Sequence, residues 1–404
     1  MHSPSLMIEK IIHAPIEQVY RAFTNSTAYR EWMCDVCIAD PRPLGRLYFG
    51  WNGPFYAAGE FTQVELNRLV AFTWQGRGEP APTWVKVMLN PAEDGTSLRL
   101  EHGGLGEGEA WESTRQTFQR SWESGLENLA SVLETGRDLR IVNKPMLGVY
   151  LDAFDPEIAR RIGVPVTQGA RLGGVLDGLG AQQAGLQEND VIVRLNGRVI
   201  RDVGDLGAAL QPARAGDEVE VDYYRKAEQR TARFKLAGRP IPEIPPTAAD
   251  LSEDVEQIYG DIKPTLEALF QGVSEAQAGH QPAENEWSAK EVLAHLIHTE
   301  RGLQNAIAEA VGSAEAHYDQ YAGNWNGRNH ATLSAMPSLP ALLHEYRILM
   351  DETVVLFAEL PPEFVSRKSS YWRLVFNSMQ LASHFNSHAL QIKAALESAP
   401  AIYR

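Results

Sequence analysis

Cysteine is nearly absent from this chain: Cys34 and Cys37 are the only two in 404 residues, so no disulfide framework holds the fold and buried cores must do so. Long apolar runs are missing as well. None approaches the roughly 18 residues of a membrane span. The opening residues MHSPSLMIEK lack the apolar centre of an export signal, so a cytoplasmic protein with no membrane partner is expected. Positive charge is scarce, with 37 Lys and Arg against 52 Asp and Glu and a net charge of -15, which argues against nucleic acid as a partner because phosphate binding needs clustered cations. No internal repeat is visible. What is present is a 44% hydrophobic content with nine Trp, spread over a length that predicts about two to four globular domains.

Two stretches read as boundaries. Glu134–Met146 separates a helical pattern from a strand-like one, and the Pro-rich Ala237–Asp250 should be an extended spacer. The expected organisation is a domain over 1–138, a second over 140–238, a linker over 239–247 and a third domain over 248–404.

In the first segment a strand, LMIEKIIHA, leads through Pro15 into the helical PIEQVYRAFTN. Five strand-like runs follow, from RLYFGW to TSLRLEHGG, with turn pairs Asn52-Gly53 and Asp94-Gly95. The closing stretch repeats Phe118, Trp122, Leu126, Leu129 and Leu133 at helical spacing. A sheet wrapped on one long helix is predicted. APIEQVYRAFTNSTAYREWM, PLGRLYF, GEFTQVELNRLVAFTW, GTSLRLEHGG and SWESGLENLASVLE resemble the SRPBCC superfamily, in the group related to activators of the heat-shock-90 ATPase. The resemblance implies an α+β helix-grip (START-like) fold with a cavity for an apolar small-molecule ligand. Trp51, Phe61, Phe72, Trp74, Trp84 and Trp122 are the candidate lining residues, although strand aromatics are more often core. Cys34-Asp-Val-Cys37 has the spacing of half a zinc site, but no second pair completes it, and two ordinary thiols are expected.

The second segment, GARLGGVLDGLGAQQAGLQENDVIVRLNGRVI and onward, alternates turn glycines with short apolar strands. DVGDLGAALQ is its clear helix, capped by Asp202 or Asp205. The segment is similar to a bacterial PDZ domain, mostly β, with Asn189-Asp190 where Gly-Asp is usual. Such a domain takes a peptide C-terminus as an added strand, and the loop Leu147, Gly148 and Val149 is the one placed to hold its carboxylate; a PDZ fold serving only as a spacer is the alternative. No Ser, His and Asp set with a GxSxG context accompanies it.

The third segment is predicted to be all α, with four amphipathic helices of bundle length. Ser288 and Glu291 form a capping box at the start of the second. The fourth carries LASHFNSHAL, where Leu381, His384, Phe385, His388 and Ile392 share one stripe, so both imidazoles face the bundle interior and must be satisfied there. His295 lies at the margin of the stripe Val292, Leu296, Leu303 and Ile307, whereas His298 points further toward solvent. His295 is therefore the third candidate ligand, with Glu291 as a candidate partner behind it. WSAKEVLAHLIHTE and LASHFNSHALQI resemble the DinB-like family, in its metal-binding, thiol-transferase-related branch. The resemblance implies a divalent metal, zinc or nickel, on His295, His384 and His388, with a low-molecular-weight thiol as co-substrate in several relatives. Two functions stay open: a metal-dependent thiol transferase or detoxifying hydrolase, and a non-catalytic, ligand-sensing stress-response or co-chaperone-like adaptor.

Overall fold

A computed structural model describes residues 5–51, 53–239, 241, 243–283, 286–313 and 324–400. Asn52 of the Asn52-Gly53 turn lies outside them. The chain forms two compact units, one built from 1–136 together with 242–404, the other from 137–241.

In the first unit, β1 (Leu6–Ile12) is followed by α1 (Ile16–Ala22) and α2 (Ser26–Trp32), the latter capped by Asn25 accepting from Ala28 N. Strands β2 (Val36–Ala39), β3 (Arg46–Gly50), β4 (Tyr56–Glu65), β5 (Leu69–Gly76), β6 (Thr83–Ala92) and β7 (Gly95–Gly103) complete an antiparallel sheet in the order β1-β7-β6-β5-β4-β3-β2. The long α3 (Glu109–Thr135) buries Phe118, Trp122, Leu126, Leu129 and Leu133 in the same core as the inward-facing strand residues. A sheet gripping a helix is the result, and Cys34 and Cys37 are buried in that core outside any disulfide.

Of the six aromatic residues expected to line this interior, five share its core. Phe61 and Phe72 meet edge to face at 6.1 Å, Trp74 packs on Trp122 at 5.9 Å and on Phe49 at 5.5 Å, and Trp51 lies 6.4 Å from Trp74. Trp84 departs from the expectation. Val85, Val87 and Leu89 take the inward parity of β6, so Trp84 stands on the opposite face, 39% exposed, where its ring covers Gly103.

One polar residue sits among these rings. His102 is fully buried between Trp122 Nε1, which donates to its Nδ1 at 3.0 Å, and Thr83 Oγ1, 2.8 Å from its Nε2. Because an indole only donates, His102 Nδ1 accepts and its proton is on Nε2. Burial lowers its pKa from 6.5 to about 3. The folded state therefore binds fewer protons than the unfolded one between those values, and stability falls as pH drops through that window. Urea unfolding should show a slope larger by up to about 1.4 kcal/mol per pH unit between roughly pH 6 and 4 in wild type than in His102→Gln. Equal slopes would remove His102 as the cause.

The other half of this unit is a bundle. α6 (Ala248–Phe270), α7 (Ala289–Gly312), α9 (Leu339–Ala358) and α11 (Leu381–Ser398) pack in a ring in which α6 meets α9 and α11, and α7 meets the same two; α8 (Trp325–Ala335) lies on α7. The stretch expected as one fourth helix is broken, with α10 (Lys368–Ser378) ending before α11 begins. The ladder runs to Met379 N, which bonds Val375 O at 3.1 Å, and then tightens into a turn in which Gln380 N bonds Asn377 O at 3.1 Å. α10 packs on α3 and α2, so the bundle and the gripped sheet are joined within one unit.

The second unit contains β8 (Val149–Asp152), α4 (Pro156–Ile162), β9 (Ala170–Val175), β10 (Val191–Leu195), α5 (Val203–Leu210), β11 (Glu218–Arg225) and β12 (Glu228–Lys235). The sheet order is β12-β11-β10-β9-β8, which leaves β8 at an edge. Of the two cap candidates, Asp202 is the one that caps α5, accepting from Asp205 N. Asn189 adopts φ +67°, a value asparagine tolerates better than most residues, so it serves where glycine would. Its neighbour Asp190 is buried and satisfied by Arg225 at 2.8 and 2.7 Å.

Candidate metal centre

α7 places His295, and α11 places His384 and His388 one turn apart on its inner face. The three rings converge. Their centroids stand 5.7 Å (His295–His384), 4.7 Å (His295–His388) and 4.6 Å (His384–His388) apart, and one nitrogen from each lies within 4.8 Å of the others. The Nε2 atoms of His384 and His388 are 3.1 Å apart, close to the roughly 3.3 Å between two nitrogens bound at about 2.0 Å to one tetrahedral ion.

Protonation follows from the neighbours. His388 Nδ1 sits 2.9 Å from Gln391 Oε1, which can only accept, so the ring proton is on Nδ1 and the Nε2 lone pair faces the other rings. Burial, then the neighbouring His388, His384 and His298, lowers the His295 pKa to about 4; burial and then His388 lower that of His384. Neutral imidazole is the ligand form. His295 Nδ1 is buried with no hydrogen-bond partner, an orphan that an ion or a bound group would satisfy.

Two indoles that the sequence reading did not single out flank the cluster. Trp287 and Trp325 lie 5.1 and 5.0 Å from His295, and Arg328 sits over the Trp325 ring at 5.4 Å. Only the position of Trp287, immediately before the capping box, pointed toward His295. Two expectations need correcting. Glu291 is engaged elsewhere, accepting from Ser288 N and Ser288 Oγ at 2.8 Å and from Gln281, so it does not stand behind His295. His298 is half-buried rather than solvent-facing: its Nε2 meets Arg328 O at 3.0 Å and Thr332 Oγ1 at 2.8 Å, which ties α7 to α8 and turns the ring away from the triad.

In the second unit the expected peptide loop lies beside the edge strand. Leu147 is buried in the core; Gly148 has φ +78°, and a Cβ there would stand 2.7 Å from Leu179 Cβ. Val149 begins β8, whose Tyr150 and Leu151 are exposed.

These features define three classes of module: a helix-grip sheet, a PDZ-type sheet with a free edge, and a bundle that gathers three imidazoles from two helices. Residues 13–134 match the family described as activator of Hsp90 ATPase homolog 1-like protein, 145–236 match the PDZ domain and 263–390 match the DinB superfamily, so the chain carries these three domains in that order. Among curated proteins it is 27% identical over 133 residues to a probable periplasmic serine endoprotease DegP-like from Marinomonas, across 32% of this chain and 28% of that protein. It is 31% identical over 164 residues to a serine protease Do-like HtrA from Lactococcus lactis subsp. cremoris, across 37% of this chain and 39% of the relative. The chain thus spans well under half the length of these relatives. Among solved structures, a protein from Mesorhizobium loti matches at 24% identity and TM-score 0.30, over 32% of this chain and 97% of that one. The Aha1 dimer from Colwellia psychrerythraea matches at 21% identity and TM-score 0.29, over 32% and 96%.

Proposed function

We propose that this is a metal-dependent protein whose bundle holds one divalent ion, zinc or nickel, on His295, His384 and His388, and that the site serves thiol-dependent transfer or hydrolytic detoxification. The observation that carries this reading is the convergence of three imidazoles with a buried, unpartnered nitrogen on His295. Three protein ligands leave positions for a small molecule, as catalytic sites do and closed structural sites do not. When bound, such an ion lowers the pKa of a thiol or water placed on it.

The chain's own residues supply the rest. Gln391 fixes the His388 tautomer through Nδ1, and a partner of this kind contributes about 10- to 100-fold in metal affinity. Trp287 and Trp325 press on His295 and keep water from that side. An apolar small molecule is the ligand class that the family match of the helix-grip domain suggests for it.

Metal analysis of the purified full chain, followed by glutathione consumption with 1-chloro-2,4-dinitrobenzene, tests the reading. One ion per chain and a rate lost on chelation and restored by zinc or nickel are expected. One ion per chain with no rate above buffer for thiol transfer or ester hydrolysis would leave the metal and remove the catalysis.

The adaptor reading rests on a separate observation, the edge strand β8 beside Gly148. A peptide added there would hydrogen-bond to β8 and present its terminal carboxylate to the backbone around Leu147, Gly148 and Val149. A peptide ending in an apolar residue should bind about tenfold more tightly than its C-terminal amide, with amide shifts concentrated in 147–151. Equal affinities would rule out carboxylate capture.

A further inference from the structure

The helices that build the three-histidine cluster bring it little negative charge. α8 has no acidic residue in WNGRNHATLSA, and α11 has one, Glu397, about two and a half turns beyond His388. On α7 the two carboxylates nearest His295 in sequence are already engaged. Glu291 is held by Ser288 and Gln281, and Glu300 is buried, accepting from Tyr259 and Thr353 at 2.6 Å. Glu286, exposed in the loop before Trp287, is a competing negative charge outside these helices. A divalent ion on three neutral imidazoles would keep its full charge, since none of its ligands is anionic.

Arg328 adds a second positive charge beside the cluster. It is exposed, and its guanidinium carbon lies 5.4 Å over the ring of Trp325, which is 37% exposed and stands 5.0 Å from His295. Among the described residues no carboxylate forms an ion pair with it. Its backbone carbonyl accepts from His298 Nε2 at 3.0 Å, which fixes this turn of α8 on α7. A guanidinium stacked on an indole keeps its N–H groups at its edge, where the planar fork matches a carboxylate. In a chain of net charge -15, a solvent-facing cation without an acid next to a candidate metal centre favours a negatively charged ligand there.

We propose that the small molecule taken by this site is an anionic thiol, one that carries a carboxylate besides its sulfur, and that Arg328, braced on Trp325, holds the carboxylate and selects such thiols over neutral ones. The proposal rests on the three-histidine metal reading and adds the class of co-substrate to it.

Cobalt(II), which takes the same nitrogen and sulfur ligands as zinc and is coloured, serves as the metal in the full chain. Its absorption is followed while 6-mercaptohexanoate or 6-mercaptohexanol is added, two thiols of one length that differ in the charged end. The carboxylate is expected to bind more tightly than the alcohol in wild type. Arg328→Gln should still load one cobalt per chain and should cut the ratio of the two affinities by about fivefold. Arg328→Lys should restore part of that ratio, because it keeps the charge and loses the fork. A loss of packing on Trp325 alone would weaken both thiols alike and leave the ratio where it was. Failure of the wild type to take up cobalt would overturn the metal reading and this proposal with it. One cobalt per chain with the alcohol bound as tightly as the carboxylate, or with the same affinity ratio in Arg328→Gln as in wild type, would overturn this proposal alone.

Discussion

Full-length protein carrying His384→Ala or His388→Ala is expected to purify without stoichiometric metal and to take up none on incubation with zinc or nickel. His295→Ala should do nearly the same. Each substitution leaves two imidazoles, and a ligand lost from a three-donor set removes much of the affinity the site has. His298→Ala is the contrast. Its ring is held by Arg328 O and Thr332 Oγ1, so its loss should loosen α8 while one ion per chain remains. Gln391→Ala falls between, with metal present but bound about 10- to 100-fold more weakly, because the His388 tautomer is no longer fixed. A chelator should lower the melting temperature of wild type and not that of His384→Ala, since only a site that binds in the folded state can stabilise by mass action. Retention of one ion per chain by all three ligand variants would remove the site.

The pair His384 and His388 was legible because helical phase sets both on the stripe with Phe385 and Ile392, and His295 because it borders the apolar face of α7. The indole Trp325 was not, since α8 contacts α7 through a fold that local periodicity does not encode. Trp84 could have been read better: Val85, Val87 and Leu89 fix the inward parity of β6, which puts Trp84 outside. The end of α10 was hidden in an otherwise helical stretch, because the turn at Met379 and Gln380 that separates it from α11 carries neither Gly nor Pro. The three domain types were readable in order. That the first and third share one compact unit was not, because the residues that join them are polar and far apart in sequence.

Glu31 is the centre of that junction and the second position where a large effect is expected. On sequence it is a charge on a short helix, a residue type that is normally solvated. In the structure it is 2% exposed, and its carboxylate accepts from Ser369 Oγ at 2.5 Å and from Ser370 Oγ, both in the first turn of α10. Arg21 stands 3.7 Å from it and donates to Ser313 Oγ at 3.1 Å, while Arg367 donates to the same hydroxyl and to Val311 O at 2.6 Å. Two guanidinium groups therefore gather around the one buried carboxylate. Glu31→Ala leaves the two serine hydroxyls unsatisfied and takes the counter-charge from two guanidinium groups that keep their bonds to Ser313 and Val311, a loss on the order of 3 kcal/mol. Glu31→Gln keeps the shape and part of the hydrogen bonding, so a smaller loss is expected. Pairing Glu31→Ala with Arg21→Ala should recover part of the deficit, since the double variant no longer buries that guanidinium without a counter-charge. The junction also sets what a nick does. Cutting the wild-type chain within 239–246 should leave fragments that elute together, because the contacts joining α2 and α3 to α10 do not depend on that segment. The same cut in Glu31→Ala should let them separate. Fragments of the wild type that separate at once, or an unfolding free energy for Glu31→Ala within about 0.5 kcal/mol of wild type, would mean that the buried carboxylate does not hold the two halves together.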